Sequence, residues 1–301
     1  FYNSALSKMG SANRPSGGKN LSWTRGLIRK YEGNQRLNFD ANNIRTALSR
    51  PFEKTNVYFH SDLNEYVNQI PRIFPDQNTK NLVIFVNGVG SSIPFSCLMT
   101  DCITRHTGAV SGQMFPLKLY EKPSKDTLFA AENGIIEHNS GICPDIREHL
   151  KNRYSQIVSD EDLFFYTYGI MHSEEFRDRY ENNLSKEICR IPFVKSWSKF
   201  SEFANLGKNL GNLHVNFQSA AMYPVEFREG SLELAQIDNP RSFFKVQKMR
   251  FKRKGDKSCV IYNQNLTIEN IPSNAFDYVV HGKPALEWVM ERQSVTTDKA
   301  S

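Results

Sequence analysis

The sequence predicts an α+β fold: a mixed β-sheet scaffold, a central helical segment, and a C-terminal basic β-hairpin followed by helices. Three observations predict it. Short apolar runs of strand length dominate the first 120 residues, with Asn81–Asn87 (NLVIFVN) apolar on both faces. From Pro144 to Val215 the apolar spacing becomes helical. Near the C-terminus two strand-like runs, Lys245–Arg253 and Ser258–Asn263, flank Lys254-Gly255-Asp256-Lys257, a hairpin signal.

Residues 1–20 are polar and rich in Gly, Ser and Asn, as a linker or frayed terminus is. Trp23, Leu27 and Ile28 fall on one face of a short helix over Leu21–Tyr31. Asp40 suits the N-cap of a helix through Leu48, stopped by Pro51. Thr55–His60 and Asn81–Asn87 read as strands, the second central in a sheet and ended by Gly88 and Gly90. Met114–Tyr120 reads as a further strand, with Pro116 placing it at an edge or bulge. Lys122–Gly141 shows no period and reads as a loop.

Pro144 suits the first position of a helix carrying Ile146, Leu150 and Tyr154 at spacing four. Asp160–Met171 reads as a strongly apolar helix. Ser173 caps the next helix, with Glu174 and Glu175 in its first turn and Phe176, Tyr180 and Leu184 as its stripe. Ser198–Val215 is amphipathic through Phe200, Phe203, Leu206, Leu210 and Leu213. Asn274–Val280 and a Pro284-initiated stretch to Arg292 close the series as helices. The expected organisation is a coupler over residues 1–45 and a recognition domain over 46–301.

The 301-residue chain is 39% hydrophobic and 12% aromatic, enough to build a core, and lacks an apolar run of membrane-spanning length. It begins with Phe1 and reads as a piece of a longer polypeptide. An odd set of five cysteines without paired spacing suggests a reducing compartment, the cytoplasm. Cys97, Cys102 and His106 have a spacing that zinc sites use, yet no fourth ligand is evident, so small buried thiols are the simpler reading.

Net charge is +6, and its location matters more than its size. Between Arg241 and Lys257 stand eight basic residues and one acid, a net +7, which leaves −1 for the rest of the chain. Charge so concentrated predicts a polyanionic partner, nucleic acid before an anionic membrane surface. If Lys245–Arg253 is one strand, Val246, Lys248, Arg250, Lys252 and Lys254 share a face, and Lys245, Gln247, Met249, Phe251 and Arg253 share the other. The alternative is a solvated ribbon whose lysines protect a sheet edge.

Catalytic signatures are missing. Arg14–Asn20 (RPSGGKN) falls short of a phosphate-binding loop, Asn239-Pro240-Arg241 is only a near miss to the motif by which amino-methyltransferases hold a base, and Pro75-Asp76 and Pro144-Asp145 lack the downstream acid-x-Lys of a nuclease. There is no H-E-x-x-H and no G-x-S-x-G. Asn87-Gly88-Val89-Gly90-Ser91-Ser92 follows a strand as anion-binding loops do, but a tight turn explains it equally. His172, between two helices, is placed either to act as a base or to pack a turn.

Several segments together resemble a known family. They are Trp23-Thr24-Arg25-Gly26-Leu27, Arg50-Pro51-Phe52-Glu53-Lys54, Phe115-Pro116-Leu117-Lys118-Leu119-Tyr120, the run Tyr168–Tyr180 (YGIMHSEEFRDRY), Arg190-Ile191-Pro192, Leu213-His214, and Trp288–Lys299 (WVMERQSVTTDK). In order and spacing they resemble the C-terminal target-recognition region of single-chain Type ISP restriction–modification enzymes. Ser49 and Glu53 stand where the family usually has Tyr and Asp. The resemblance covers roughly residues 20–301 and implies nuclease, helicase-like and adenine methyltransferase domains upstream. Those domains would use S-adenosylmethionine, ATP and Mg2+, while this region, holding no cofactor and performing no chemistry, would find a short site in duplex DNA. The recurring motifs are expected to build scaffold, with Phe176, Tyr180 and Trp288 in the core.

On that reading Lys245, Gln247, Lys248, Arg250, Lys252, Arg253, Lys254 and Lys257 meet DNA. Lysines and arginines neutralise phosphates, and Arg250, Arg253 and Gln247 are suited to base edges. Asn87, Ser91, Ser92, Arg105 and His106 on the early loops are further DNA-binding candidates. Two rivals remain open: a module that docks the methyltransferase or motor through Trp23–Tyr31, and an enzyme with a site at His172 or Cys97.

Overall fold

A computed structural model describes residues 23–64, 66–104, 112–121, 138–230 and 237–292. The N-terminal helix α1 (Arg25–Glu32) is capped by Thr24, whose hydroxyl accepts from the Leu27 N–H. Leu27 and Tyr31 close a small core with Trp23, Leu37 and Leu63.

The segment after Asp40 is a strand where a helix was expected. Asp40 does cap, but only the single 3-10 turn Ala41–Asn43. Strand β1 (Ile44–Arg50) follows and pairs antiparallel with β2 (Glu53–Tyr58). Its β-branched Ile44 and Thr46 stay exposed while Arg45 and Ala47 turn inward, the period-two pattern of a half-buried strand. The expected boundary between residues 45 and 46 falls inside this strand. Its far edge pairs in parallel with β5 (Ile103–Thr104), and the short helix α2 (Ile70–Ile73) packs nearby.

Strand β3 (Val83–Asn87) is central, between β4 (Cys97–Thr100) and β6 (Gly112–Pro116), antiparallel to both. Its two apolar faces serve two cores, as its sequence predicts. Ile84 and Val86 join the main helical core, while Val83 packs with Ala47, Ile73, Phe74 and Ile103. The Met114–Tyr120 run is two strands. Pro116 has no N–H to continue the ladder, the Leu117 N–H turns to the Leu82 carbonyl (2.8 Å), and β7 (Lys118–Tyr120) pairs instead with β8 (His138–Ser140). Of the expected loop over Lys122–Gly141, residues 122–137 lie outside the described residues.

Four helices cover one face of the central sheet: α3 (Pro144–Tyr154), α4 (Asp160–His172), α5 (Glu174–Leu184) and α6 (Trp197–Val215). Each begins where the sequence signals a start, with Pro144 at the first position of α3 and Ser159, Ser173 and Ser196 as side-chain caps of the others. Tyr166 and Phe200 stack at 4.3 Å in the middle of this core. Phe176 is buried and Tyr180 packs against it. Leu206 and Leu213, expected in the buried stripe of α6, are more than half exposed.

The C-terminal part is a second sheet in the order β10 (Arg250–Arg253), β11 (Asp256–Ile261), β12 (Thr267–Glu269), β9 (Glu226–Phe227), all antiparallel. A four-residue helix α7 (Pro240–Phe243) leads into it. The expected Asn274–Val280 helix is a 3-10 turn, Ser273–Phe276, followed by β13 (Val279–Val280), which pairs with β14 (Lys283–Pro284). Helix α8 (Ala285–Arg292) starts directly after Pro284. Trp288 Nε1–H donates to the Val280 carbonyl (2.8 Å), and Val280 is buried with Leu48, Phe52, Leu98 and Cys102. The fold is thus α+β, two sheets joined through the segment from Tyr278 to Met290.

Candidate nucleic-acid interface

The hairpin β10–β11 turns at Lys254-Gly255, where Gly255 has φ +86°, a conformation that favours glycine. Asp256, the one acid of the basic segment, is engaged in the turn. Its Oδ1 accepts from the Ser258 N–H (3.0 Å) and hydroxyl (2.6 Å). Those bonds first, then the nearby Arg253 and Lys252 charges, lower its pKa.

One side of the ribbon is anchored. Phe251 pairs with Val260, and with Met249 it reaches a core of Val260, Ile268, Ile271, Phe276 and Met290. That anchoring sends Arg250 and Lys252 to solvent, and the register shifts between Phe251 and Arg253. Arg253 and Lys254 at the turn are exposed as well. Among the described residues, no salt bridge engages Lys245, Lys248, Arg250, Lys252, Arg253 or Lys254. Their charge therefore faces water.

Two details depart from the sequence pattern. The strand begins at Arg250, five residues later than expected. Asn263 Nδ2 donates to the Phe243 (2.7 Å) and Lys245 (3.2 Å) carbonyls, which fixes the approach to the sheet, and Val246 is buried there. Alternation therefore starts at Met249, and Val246 is no part of a cationic face; Lys245, Gln247 and Lys248 are exposed on the lead-in. Lys257 differs from the rest. Its Nζ lies 2.7 Å from Glu287 Oε1 and 5.0 Å from the centre of the Phe276 ring, so it joins the hairpin to α8. Nothing local in the sequence announces Glu287, thirty residues on, as its partner.

The early loop is internally knitted. Asn87 Nδ2 donates to the Pro94 carbonyl (3.2 Å), its Oδ1 accepts from the Ser96 N–H (2.7 Å), and Ser91 Oγ accepts from the Ile93 N–H (3.3 Å). Asn87 thus closes its own loop, and Ser92 is the exposed member. Arg105 and His106 lie outside the described residues. The loop and the hairpin are not in contact through any described hydrogen bond. Both are tied to the same C-terminal segment, the loop by the His281 N–H to Ser96 Oγ (3.0 Å) and the hairpin by Lys257–Glu287.

The rival sites read differently once placed. Cys97 Sγ lies 3.6 Å from His172 Nδ1, but the thiol is buried and its pKa pushed up to about 12, while burial lowers that of His172 to about 4. A reactive thiolate–imidazolium pair needs the opposite shifts. His172 Nδ1–H donates to the Tyr168 carbonyl (3.0 Å), as a packing histidine does. Cys97 and Cys102 fall in two different cores. The aromatics proposed as a docking face at Trp23–Tyr31 turn onto each other, edge to face at 5.3 Å.

Comparison with known proteins gives a consistent picture. Residues 1–301 match the family profile described as the Type ISP C-terminal specificity domain. The structure is similar to that of the ATP-dependent Type ISP restriction-modification enzyme LlaBIII bound to DNA, at 30% identity and TM-score 0.77 over 93% of this chain and 17% of that one. It is similar to a nuclease-deletion mutant of the Type ISP enzyme LlaGI in complex with a DNA substrate mimic, at 30% identity and TM-score 0.73 over 92% of this chain and 23% of that one. It is also similar to the DrdV–DNA complex, at 28% identity and TM-score 0.79 over 99% of this chain and 28% of that one. No curated protein matches. The chain spans between 17% and 28% of the length of these three structures.

Proposed function

The chain belongs to the Type ISP C-terminal specificity domain family, and from that membership we propose that it recognises a target site in duplex DNA on behalf of a larger restriction–modification enzyme. The observation that carries the proposal is the ribbon of Arg250, Lys252, Arg253 and Lys254, exposed and outside every salt bridge among the described residues. Duplex DNA bears a phosphate charge for every 1.7 Å or so of its axis, and a protein that neutralises phosphates gains affinity by releasing counterions. A two-stranded ribbon is also one of the two elements that fit the major groove.

In this reading Lys245, Lys248, Lys252 and Lys254 hold phosphates and set register. Arg250, Arg253 and Gln247 supply the forked or paired donors that base edges require. Ser92, Arg105 and His106 are secondary candidates, and Asn87 and Ser91 shape the loop that carries Ser92. Lys257 keeps the hairpin seated on α8. The DNA complexes of the similar enzymes support the same partner.

Nuclease, helicase-like and adenine methyltransferase domains belong, in this proposal, to the rest of the polypeptide, and with them S-adenosylmethionine, ATP and Mg2+. The specificity chain would act in the cytoplasm, where such an enzyme meets DNA. Lysine footprinting tests the interface directly. Duplex DNA is expected to protect Lys248, Lys252 and Lys254 from acetylation, while Lys151 and Lys208 on α3 and α6 stay reactive. Uniform reactivity of the hairpin lysines with and without DNA contradicts the proposal.

A further inference from the structure

Far from the hairpin in sequence, β1 carries a charge in an unusual place. Arg45 occupies the inward row of the strand, beside Ala47, and is only 9% exposed. Its Nη2 donates to the Pro75 carbonyl (2.9 Å), but its Nε and Nη1 are buried without a hydrogen-bond partner. Buried donors left unpaired are costly, and charged ones more so. Burial lowers the Arg45 pKa, and the charge of Asp76 pushes it back up. A strand that only needed an inward residue here would be more stable with an apolar one.

Arg45 lines a cavity of about 280 Å3, whose wall also includes Phe59, His60, Phe74, Tyr120 and Glu121. That volume is just below the range for drug-sized ligands and suits one small ring system. Rings and a proline-rich side offer flat apolar contact, a guanidinium offers donors, and a carboxylate stands at the rim. Glu121 and Asp76 both disfavour an anion, which argues against a bare phosphate. A planar, uncharged group with acceptors on one edge and donors on another satisfies all three features at once.

We propose that this cavity takes a nucleobase, guanine by its edge chemistry. Guanine O6 and N7 accept from an arginine fork, and its N1–H and N2–H2 need an acceptor such as Glu121. Stacking on ring faces supplies the sequence-tolerant part of such binding. The base belongs either to a free nucleotide or to an extrahelical position in DNA. The inference goes beyond the reading of the hairpin and uses none of its residues.

Saturation-transfer NMR of the 301-residue chain with dGMP tests it, with dAMP as comparison and with a short duplex carrying one extrahelical guanine as the second arm. Guanine protons are expected to saturate on binding, and Glu121→Gln and Arg45→Lys to weaken binding at least ten-fold with unchanged circular dichroism. Binding of the extrahelical guanine but not dGMP identifies DNA as the source; binding of both includes the free nucleotide. Equal binding of dAMP, unchanged affinity in Glu121→Gln, or saturation by neither guanine probe overturns the proposal. Arg45→Ala unfolds if the strand needs the residue, and Glu121→Gln, on an exposed side chain, then decides. A hairpin variant that loses duplex affinity but keeps dGMP binding separates this site from the DNA-recognition reading.

Discussion

The Tyr168 hydroxyl stands 2.5 Å from His214 Nδ1 while accepting the Met99 N–H at 2.9 Å, so one side chain of α4 ties α6 to the edge strand β4. Because the oxygen already accepts from a backbone N–H, its own proton points to Nδ1, which fixes His214 as the neutral tautomer protonated on Nε2. Two of the recurring sequence motifs, the one opening at Tyr168 and the pair Leu213-His214, therefore meet in the interior. They build scaffold.

A pH dependence follows from that burial. Burial depresses the pKa of His214 to about 3, helped by the charge of His172, and lowers those of His172 and His281 to about 4. In the unfolded chain each titrates near the ordinary value of about 6.5. Between about pH 6.5 and pH 4 the unfolded chain binds more protons, so stability is full above the window and falls as pH falls through it. At about 1.4 kcal/mol per pKa unit, three such groups amount to several kcal/mol. Urea unfolding at pH 7.5 and pH 5 is expected to show a clear loss at the lower pH, and equal midpoints would contradict the assignment.

Gly169 and Gly207 let α4 and α6 cross at close range. A Cβ on Gly207 would come 2.0 Å from the Phe165 carbonyl oxygen and 2.8 Å from the Gly169 nitrogen, against backbone that cannot swing aside. Gly207→Ala is expected to destabilise the fold by roughly 3 kcal/mol. Thermal unfolding checks it; a loss under about 0.5 kcal/mol, the range of an ordinary surface change, would contradict the close crossing.

Lys257 separates scaffold from interface within one hairpin. Lys257→Ala removes an ion pair with Glu287 and the contact with Phe276, at an expected loss of about 1 kcal/mol in stability. Its DNA affinity is expected to stay within about two-fold of the parent, whereas Lys252→Ala lowers the salt slope of binding by about one. Anisotropy titrations of both variants at two salt concentrations check the contrast.

Much of this was legible in the chain. The starts of α3 to α6 are written in Pro144, Ser159, Ser173 and Ser196, because caps and first-turn prolines act locally. Strand β3 was legible because a run apolar on both faces has few other places to go. The Asp40 helix was misread because a capping residue starts any turn, and the seven residues after Asn43 found strand partners at Thr55 and Ile103 that no local pattern displays. The concentration of charge at 241–257 identified the hairpin, but not its first residue, which depends on Asn263 from beyond the turn. The commitment of Lys257 to Glu287 and the inward turn of Arg45 are likewise set by tertiary partners.

The most direct test of the central claim is the salt dependence of duplex binding, compared between the parent chain and a variant with Lys248, Arg250, Lys252 and Lys254 all changed to Ala. The logarithm of the affinity is expected to fall linearly with the logarithm of salt concentration in the parent. In the variant the slope should be shallower by about 0.9 for each phosphate contact removed, with the fold intact by circular dichroism. Parallel lines of equal affinity would show that the exposed cationic ribbon does not meet DNA, and would contradict the account.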